Sequence, residues 1–374
     1  MTTQKLKVMI AGGGTGGHVY PAIAIADAIK KQVPQAEILF VGAEGKLEME
    51  KVPMAGYRIE GLPVVGFQRK LTWKNLLFPF KLMASMIKAR QIAKAFQPDV
   101  AVGVGGYASG PAVRAAAGMG VPAVLQEQNA FPGVTNKMLA ASAKKICVAY
   151  DGMERFFPKE KLVLTGNPVR TAFFEGLKEK RAEALAHFGL DPQKQTVFIF
   201  GGSLGARTLN ESMMEGAGLI GKNSQVQWIW QTGRFYEATA LQSETAKLPN
   251  VKAQAFIDRM DLAYAAADVI IGRAGALSIA ELCLVGKPAV LVPSPNVAED
   301  HQTKNALALV EKNAAKMVSD AAAREELLNT VFDLLGNESE RQLLAANIAK
   351  LAKPRAAEEI AEVVLSLAKA QAQA

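Results

Sequence analysis

Lys7-Val8-Met9-Ile10-Ala11-Gly12-Gly13-Gly14-Thr15-Gly16-Gly17-His18 is the stretch that decides the fold. The apolar run reads as a buried strand, the glycines as a tight turn, and Pro21 to Lys31 as a helix. Strand, glycine turn and helix is how an α/β sheet aims bare backbone N–H groups at an anion, with the positive end of a helix dipole behind them. Thr196-Val197-Phe198-Ile199-Phe200 followed by Gly201-Gly202-Ser203-Leu204-Gly205-Ala206 repeats the arrangement in the second half. Two such turns, far apart in sequence, predict two nucleotide-fold halves facing one ligand across a cleft.

The rest of the chain agrees. Short apolar runs (Val8–Ala11, Ile38–Val41, Val100–Val104, Val121–Gln126, Lys145–Val148) alternate with helical patterns such as Trp73–Phe96 and Pro111–Gly118. The alternation restarts after Gly166-Asn167-Pro168 with Val197–Phe200, Val226–Trp230, Val251–Ala253, Val269–Ile271 and Ala289–Val292. This predicts an α/β chain of two Rossmann-like, doubly wound parallel-sheet domains, over 1–166 and 167–352. A C-terminal helix over 353–374 would pack back on the first domain, with Ile360, Val363, Val364 and Leu367 on one face.

At 374 residues with half of them hydrophobic, two packed cores are expected. The net charge of +8 favours an anionic partner without choosing one. Cys147 and Cys283 stand apart in apolar surroundings, as core thiols of a reducing compartment would. No signal-peptide pattern precedes the first strand and no run is long enough to span a bilayer, so the sequence reads as cytoplasmic.

Several residues carry candidate chemistry. Gly12, Gly14 and Gly17 satisfy G-x-G-x-x-G, and Glu44 lies where a dinucleotide fold would hold a ribose. An NAD-dependent oxidoreductase is therefore one reading. His18, at a helix N-terminus beside the glycines, fits either a general base kept neutral by the helix field or a structural histidine. Gly105-Gly106-Tyr107-Ala108-Ser109-Gly110 and Gln126-Glu127-Gln128-Asn129 end two further strands. Gln128 and Asn129 offer paired donors and acceptors for hydroxyls, and Glu127 reads as a structural hydrogen-bond partner. Gly275 to Ser278 would open a helix whose N–H groups face a phosphate or sugar. Glu281, one turn on, could take both hydroxyls of a ribose or merely serve the helix dipole. No acid lies between Glu60 and Asp99, where Trp73, Leu76, Leu77, Phe78 and Phe80 mix with Lys74, Lys81 and other cations. That composition suits either anionic lipid or a solvated basic helix face. It lacks a nucleic-acid fold signature, so a nucleic-acid-binding module is the weakest reading.

Six motifs in order resemble the MurG family of N-acetylglucosaminyltransferases of peptidoglycan synthesis. They are Gly-Gly-Thr-Gly-Gly-His at 13–18, Gly-Gly-Tyr-Ala-Ser-Gly at 105–110, Glu-Gln-Asn at 127–129, Gly-Asn-Pro-Val-Arg at 166–170, Gly-Gly-Ser-Leu-Gly-Ala at 201–206 and Arg-Ala-Gly-Ala-Leu-Ser at 273–278. The resemblance implies a GT-B fold with an interdomain cleft. It implies inverting transfer of N-acetylglucosamine from UDP-N-acetylglucosamine to lipid I, the undecaprenyl-diphosphate-linked N-acetylmuramoyl-pentapeptide, giving lipid II. By the same resemblance Ser203 and Arg170 would meet the diphosphate, backbone at Ile257 the uracil, and Glu281 the ribose. Ala276, Leu277, Ser278, Gln302 and Asn129 would surround the donor sugar and its phosphates. Thr15, Gly16, Gly17 and His18 would line the acceptor side, His18 as base. No cofactor or metal is implied, and no Asp-x-Asp is present. Expected partners are the two substrates, an anionic membrane surface and other cell-wall synthesis proteins, but no nucleic acid. The chain would sit peripherally on the cytoplasmic face of the plasma membrane. Gln126, Leu204 and His301 depart from residues that some family members carry; the Gln126 change leaves His18 the stronger candidate base, and the other two would alter contacts around the donor without changing the reaction.

Overall fold

The computed structural model describes residues 5–64, 78–169 and 171–373. It divides into two compact units, 1–169 with 355–374, and 170–354.

The first unit holds seven strands: β1 Lys7–Ala11, β2 Glu37–Ala43, β3 Arg58–Leu62, β4 Val100–Gly103, β5 Ala123–Glu127, β6 Lys145–Val148 and β7 Leu162–Leu164. Their order is β3-β2-β1-β4-β5-β6-β7, and every pair is parallel. Strands covered on both faces read as continuous apolar runs, which is why Val8 to Ala11 and Val100 to Val102 are fully buried. One face is covered by the helix Gly16–Gln32 and by the C-terminal helix Ala356–Gln373. Ile360, Ala361 and Val364 join Val8, Ile10, Ile25 and Ile29 in one core cluster. The other face packs under the helix Ser109–Ala117 and Ala89 and Ala93 of the helix Phe78–Phe96.

The second unit repeats the plan with β8 Gln195–Phe200, β9 Val226–Gln231, β10 Val251–Gln254, β11 Val269–Gly272, β12 Ala289–Leu291 and β13 Lys316–Met317. Its order is β10-β9-β8-β11-β12-β13, again all parallel. Trp228 and Trp230 are fully buried, and the Trp230 indole donates to Asn210 Oδ1 at 2.9 Å.

In each sheet the strand order reverses direction once, between β1 and β4 and between β8 and β11. Loops leaving the carboxyl ends of such strands diverge to opposite faces and leave a crevice for ligand. Both glycine turns leave the sheet at these points.

Candidate active site

The first glycine turn is closed by the protein itself. Gly12 N–H donates to Val41 O at 3.2 Å and Gly13 N–H to Gly105 O at 3.3 Å. Gly14 N–H donates at 2.8 Å to Glu48, whose other oxygen accepts from Ala43 N–H at 2.9 Å. Glu48 is 1 % exposed. A Cβ on Gly13, whose φ is +147°, would lie 2.1 Å from this carboxyl group, so only glycine fits. Glu44, expected to hold a dinucleotide ribose, instead pairs with Lys88 Nζ at 2.8 Å. The dinucleotide reading is thereby corrected: the turn's anion is an internal carboxylate, and the candidate ribose acid is spent elsewhere.

The open groups lie one step further. Thr15 caps the helix that begins at Gly16, so the first-turn N–H groups of Gly16 and Gly17 have no intrahelical acceptor. The His18 ring is held by Nδ1, 3.1 Å from Gly13 O and 3.3 Å from Thr15 Oγ1. A carbonyl oxygen only accepts, so this contact puts the proton of the neutral ring on Nδ1 and the lone pair on Nε2. A Cβ at Gly105 would stand 2.9 Å from Nε2, so that glycine makes room for the ring.

Beyond β5, Glu127 accepts from Asn129 N–H (3.0 Å), Asn129 Nδ2 (3.2 Å), Gly133 N–H (3.1 Å) and Asn136 Nδ2 (2.8 Å). Burial pushes its carboxyl up and these four donors pull it down. Asn129 is held half-buried just beyond the carboxyl end of β5. Gln128 does not read hydroxyls as expected. It is 2 % exposed and donates to Val104 O at 2.9 Å, while Asn167 Nδ2 donates to its carbonyl at 2.9 Å. Gln126 Nε2 in turn donates to Asn167 Oδ1 at 3.0 Å. The Gly-Asn-Pro turn is thus a buckle between β4, β5 and the end of the unit.

The second glycine turn differs. Gly202, Ser203 and Leu204 are exposed, and among the described residues their N–H groups find no acceptor. Gly275 caps the helix Ala276–Val285 in extended conformation, so Ala276, Leu277 and Ser278 present first-turn N–H groups beside that turn. β8 and β11 are hydrogen-bonded neighbours, which sets both donor groups on one rim. Gln302 lies half-buried beyond β12, its Oε1 accepting from Ser294 N–H at 2.8 Å, which leaves its amide nitrogen as donor. Ile257 is 2 % exposed and its N–H already donates to Gln231 Oε1 at 3.0 Å. Gln231 Nε2 reaches Gly202 O at 3.2 Å, tying that loop to the glycine turn. Glu281 accepts at 3.1 Å from Tyr264 Oη, and burial pushes its carboxyl up. Gln231, Tyr264 and Glu48 are the residues that sequence reasoning missed, since none belongs to a recognisable motif. Arg170 lies outside the described residues, as do Trp73, Lys74, Leu76, Leu77 and the side chain of Phe78.

Models of two glycosyltransferase domains match the chain: the family 28 N-terminal domain over residues 8–148 and the family 28 C-terminal domain over 196–361. A UDP-N-acetylglucosamine–N-acetylmuramyl-(pentapeptide) pyrophosphoryl-undecaprenol N-acetylglucosamine transferase of Phocaeicola vulgatus is 57 % identical, over 98 % of this chain and 97 % of its own. The chain belongs to the MurG family. A relative of the same name from Bacteroides fragilis is 55 % identical over 97 % of this chain and 96 % of its own. The crystal structure of Acinetobacter baumannii MurG superposes with a TM-score of 0.77 at 30 % identity, over 96 % of this chain and 99 % of that one. The two parallel-sheet units are accordingly the two Rossmann-like halves of a GT-B fold, as MurG family members have.

Proposed function

We infer that this chain transfers N-acetylglucosamine from UDP-N-acetylglucosamine to lipid I, making lipid II for peptidoglycan synthesis. Full-length identity to transferases of that name supports the reaction. One observation supports the assignment of roles: the glycine turn of the first unit is closed by Glu48, whereas that of the second is open.

The donor diphosphate accordingly belongs to the second unit, over the N–H groups of Gly202 to Leu204 and Ala276 to Ser278, with the Ser203 hydroxyl and Arg170 beside it. Such fixed donors stabilise the charge that UDP acquires as its bond to the sugar breaks. Glu281 takes the ribose hydroxyls. Because the Ile257 N–H is engaged, its carbonyl is the group left for uracil N–H. Gln302 and Asn129 serve the sugar and its phosphates. Thr15, Gly16 and Gly17 line the acceptor site, where open helix N–H groups suit the lipid diphosphate. His18 Nε2 takes the proton of the acceptor hydroxyl, whose oxygen attacks the anomeric carbon from the face opposite the departing UDP, with inversion.

Peripheral membrane contact is part of the same reading. No helix among the described residues is long and apolar enough to cross a membrane. On the helix Phe78–Phe96, Phe80, Met83 and Ile87 are exposed, at 71, 62 and 56 %, and Lys81 and Arg90 are exposed with them. Arg90, Arg114 and Lys144 line a cavity of about 690 Å³ edged by Met86 and Ile87, with no acidic residue among the described residues of its lining. Apolar side chains ringed by cations suit anionic lipid.

Calorimetry of UDP-N-acetylglucosamine, UDP and NAD with wild type and Glu281→Ala tests the donor assignment. Uridine-nucleotide binding weakened by the substitution supports it. NAD binding without uridine binding would refute it.

A further inference from the structure

Beyond the assigned contacts, Tyr264 occupies a singular place. It lies on the helix Met260–Ala266, 1 % exposed, inside an aromatic cage. Its ring centroid stands 5.6 Å from that of Phe198, 5.9 Å from Phe200 and 6.0 Å from Phe174. Its main chain is pinned as well, because the half-buried Lys287 ammonium donates to Tyr264 O at 2.8 Å and to Ala265 O at 2.7 Å. A ring so confined leaves its hydroxyl one direction, toward Glu281 Oε2 at 3.1 Å. Burial raises the phenol well above its usual range, so it stays a donor.

We propose that Tyr264 is a positioning residue for the donor site: its buried hydroxyl ties down one oxygen of Glu281 and so presents the other to the nucleotide's ribose. This rests on the reading that Glu281 meets the ribose. A carboxylate on a half-buried helix face can otherwise turn about its side-chain bonds, whereas recognition of a cis-diol needs it held in one orientation. Fixing Oε2 from below removes that freedom before the ligand arrives, the usual gain from preorganisation. The hydrogen bond has a second effect. Burial favours the protonated carboxyl of Glu281, and the Tyr264 hydroxyl is the group that opposes this. A protonated carboxyl has lost part of its acceptor capacity.

Tyr264→Phe deletes one oxygen and leaves the cage filled. The experiment measures calorimetric binding of UDP and 2′,3′-dideoxy-UDP to wild type, Tyr264→Phe, Glu281→Gln and the double variant, with steady-state kinetics alongside. In wild type, UDP should bind better than the dideoxy analogue by tenfold or more. Tyr264→Phe should weaken UDP by about tenfold, leave the dideoxy analogue within twofold, and raise the KM for donor with kcat retained. In the Glu281→Gln background it should cost little. Equal weakening of both nucleotides would mean a merely structural role and would overturn the proposal. So would an unchanged preference for UDP in Tyr264→Phe. If wild type binds both nucleotides alike, the ribose assignment itself fails and the proposal falls with it. Should Tyr264→Phe not fold, the Glu281→Gln preference for UDP over the analogue still decides whether there is a ribose contact to position, and Tyr264→His, whose smaller ring fits the cage and can carry an N–H donor, then tests the hydroxyl's role by a retained or lost preference.

Discussion

Glu48→Gln isolates the device that separates the two glycine turns. The carboxylate accepts two backbone N–H bonds, at 2.8 Å from Gly14 and 2.9 Å from Ala43, in a position 1 % exposed. Hydrogen bonds to a charged acceptor are worth about 1.5–3 kcal/mol each. Glutamine keeps one oxygen for one donor and turns an amide N–H₂ against the other. The lost bond and the donor facing a donor are partly offset by no longer burying a charge, so the expected cost is about 2 kcal/mol. Alanine loses both bonds and leaves a hole, for about 4 kcal/mol. In a unit of this size each kcal/mol lowers the melting temperature by about 2–4 °C, so Glu48→Gln should melt about 4–8 °C early. The assay is scanning calorimetry on the full chain with and without UDP, together with turnover. The first unit's transition should fall, while UDP affinity should stay at the wild-type value if, as proposed, its site is in the second unit. Turnover should drop, because Gly13 O anchors the His18 ring and lies in the same turn. Wild-type melting together with wild-type turnover would refute the reasoning, and loss of UDP affinity alone would reverse the assignment of the two turns.

His18→Ala should lower kcat by about 10²–10⁴-fold, the usual worth of a general base, with UDP affinity unchanged in calorimetry. Gly105→Ala sets a Cβ 2.9 Å from His18 Nε2 at a φ of +90°, so it should lower kcat without changing donor KM. Because burial raises the Glu281 carboxyl, UDP affinity should start to weaken on acidification above the ordinary carboxylate range, and the same titration of Glu281→Gln should lack that step. Burial, with Arg181 as a lesser cause, lowers the Lys287 ammonium from 10.5 to about 8. Between those values the unfolded chain holds the proton that the folded one has shed, so this group makes stability rise with pH. From pH 7.5 to 9.5 the gain is about 2 kcal/mol, read as the difference in urea midpoints between wild type and Lys287→Met.

The motifs that mark strand ends were legible because they combine two local signals, an apolar run and a glycine break. Gly12–Gly17, Gly105–Gly106, Gly201–Gly205 and Gly275 all fall at carboxyl ends of neighbouring strands in the structure. What those turns do was less legible. G-x-G-x-x-G read equally as a dinucleotide cradle, and Glu44 as its ribose acid. The residue that answers the question is Glu48, 34 positions from the N–H it fills and in no motif. Gln128 looked like a hydroxyl reader beside Asn129, yet its amide nitrogen is spent on Val104 O and on Gln126, and Asn167 holds its main-chain carbonyl.

The two parallel-sheet halves, the glycine turns at their strand ends and, through six motifs in order, the family could all be read from local sequence. Those are consequences of local geometry: side-chain periodicity sets strands and helices, and glycines allow the backbone turns between them. Only the tertiary structure decided which backbone donors are open and which are spent, and which carboxylates are held. Those depend on partners such as Glu48, Gln231 and Tyr264 that meet their targets across the fold. A hydrogen bond is satisfied by proximity in space, and proximity between distant residues is set by packing, which no local pattern records.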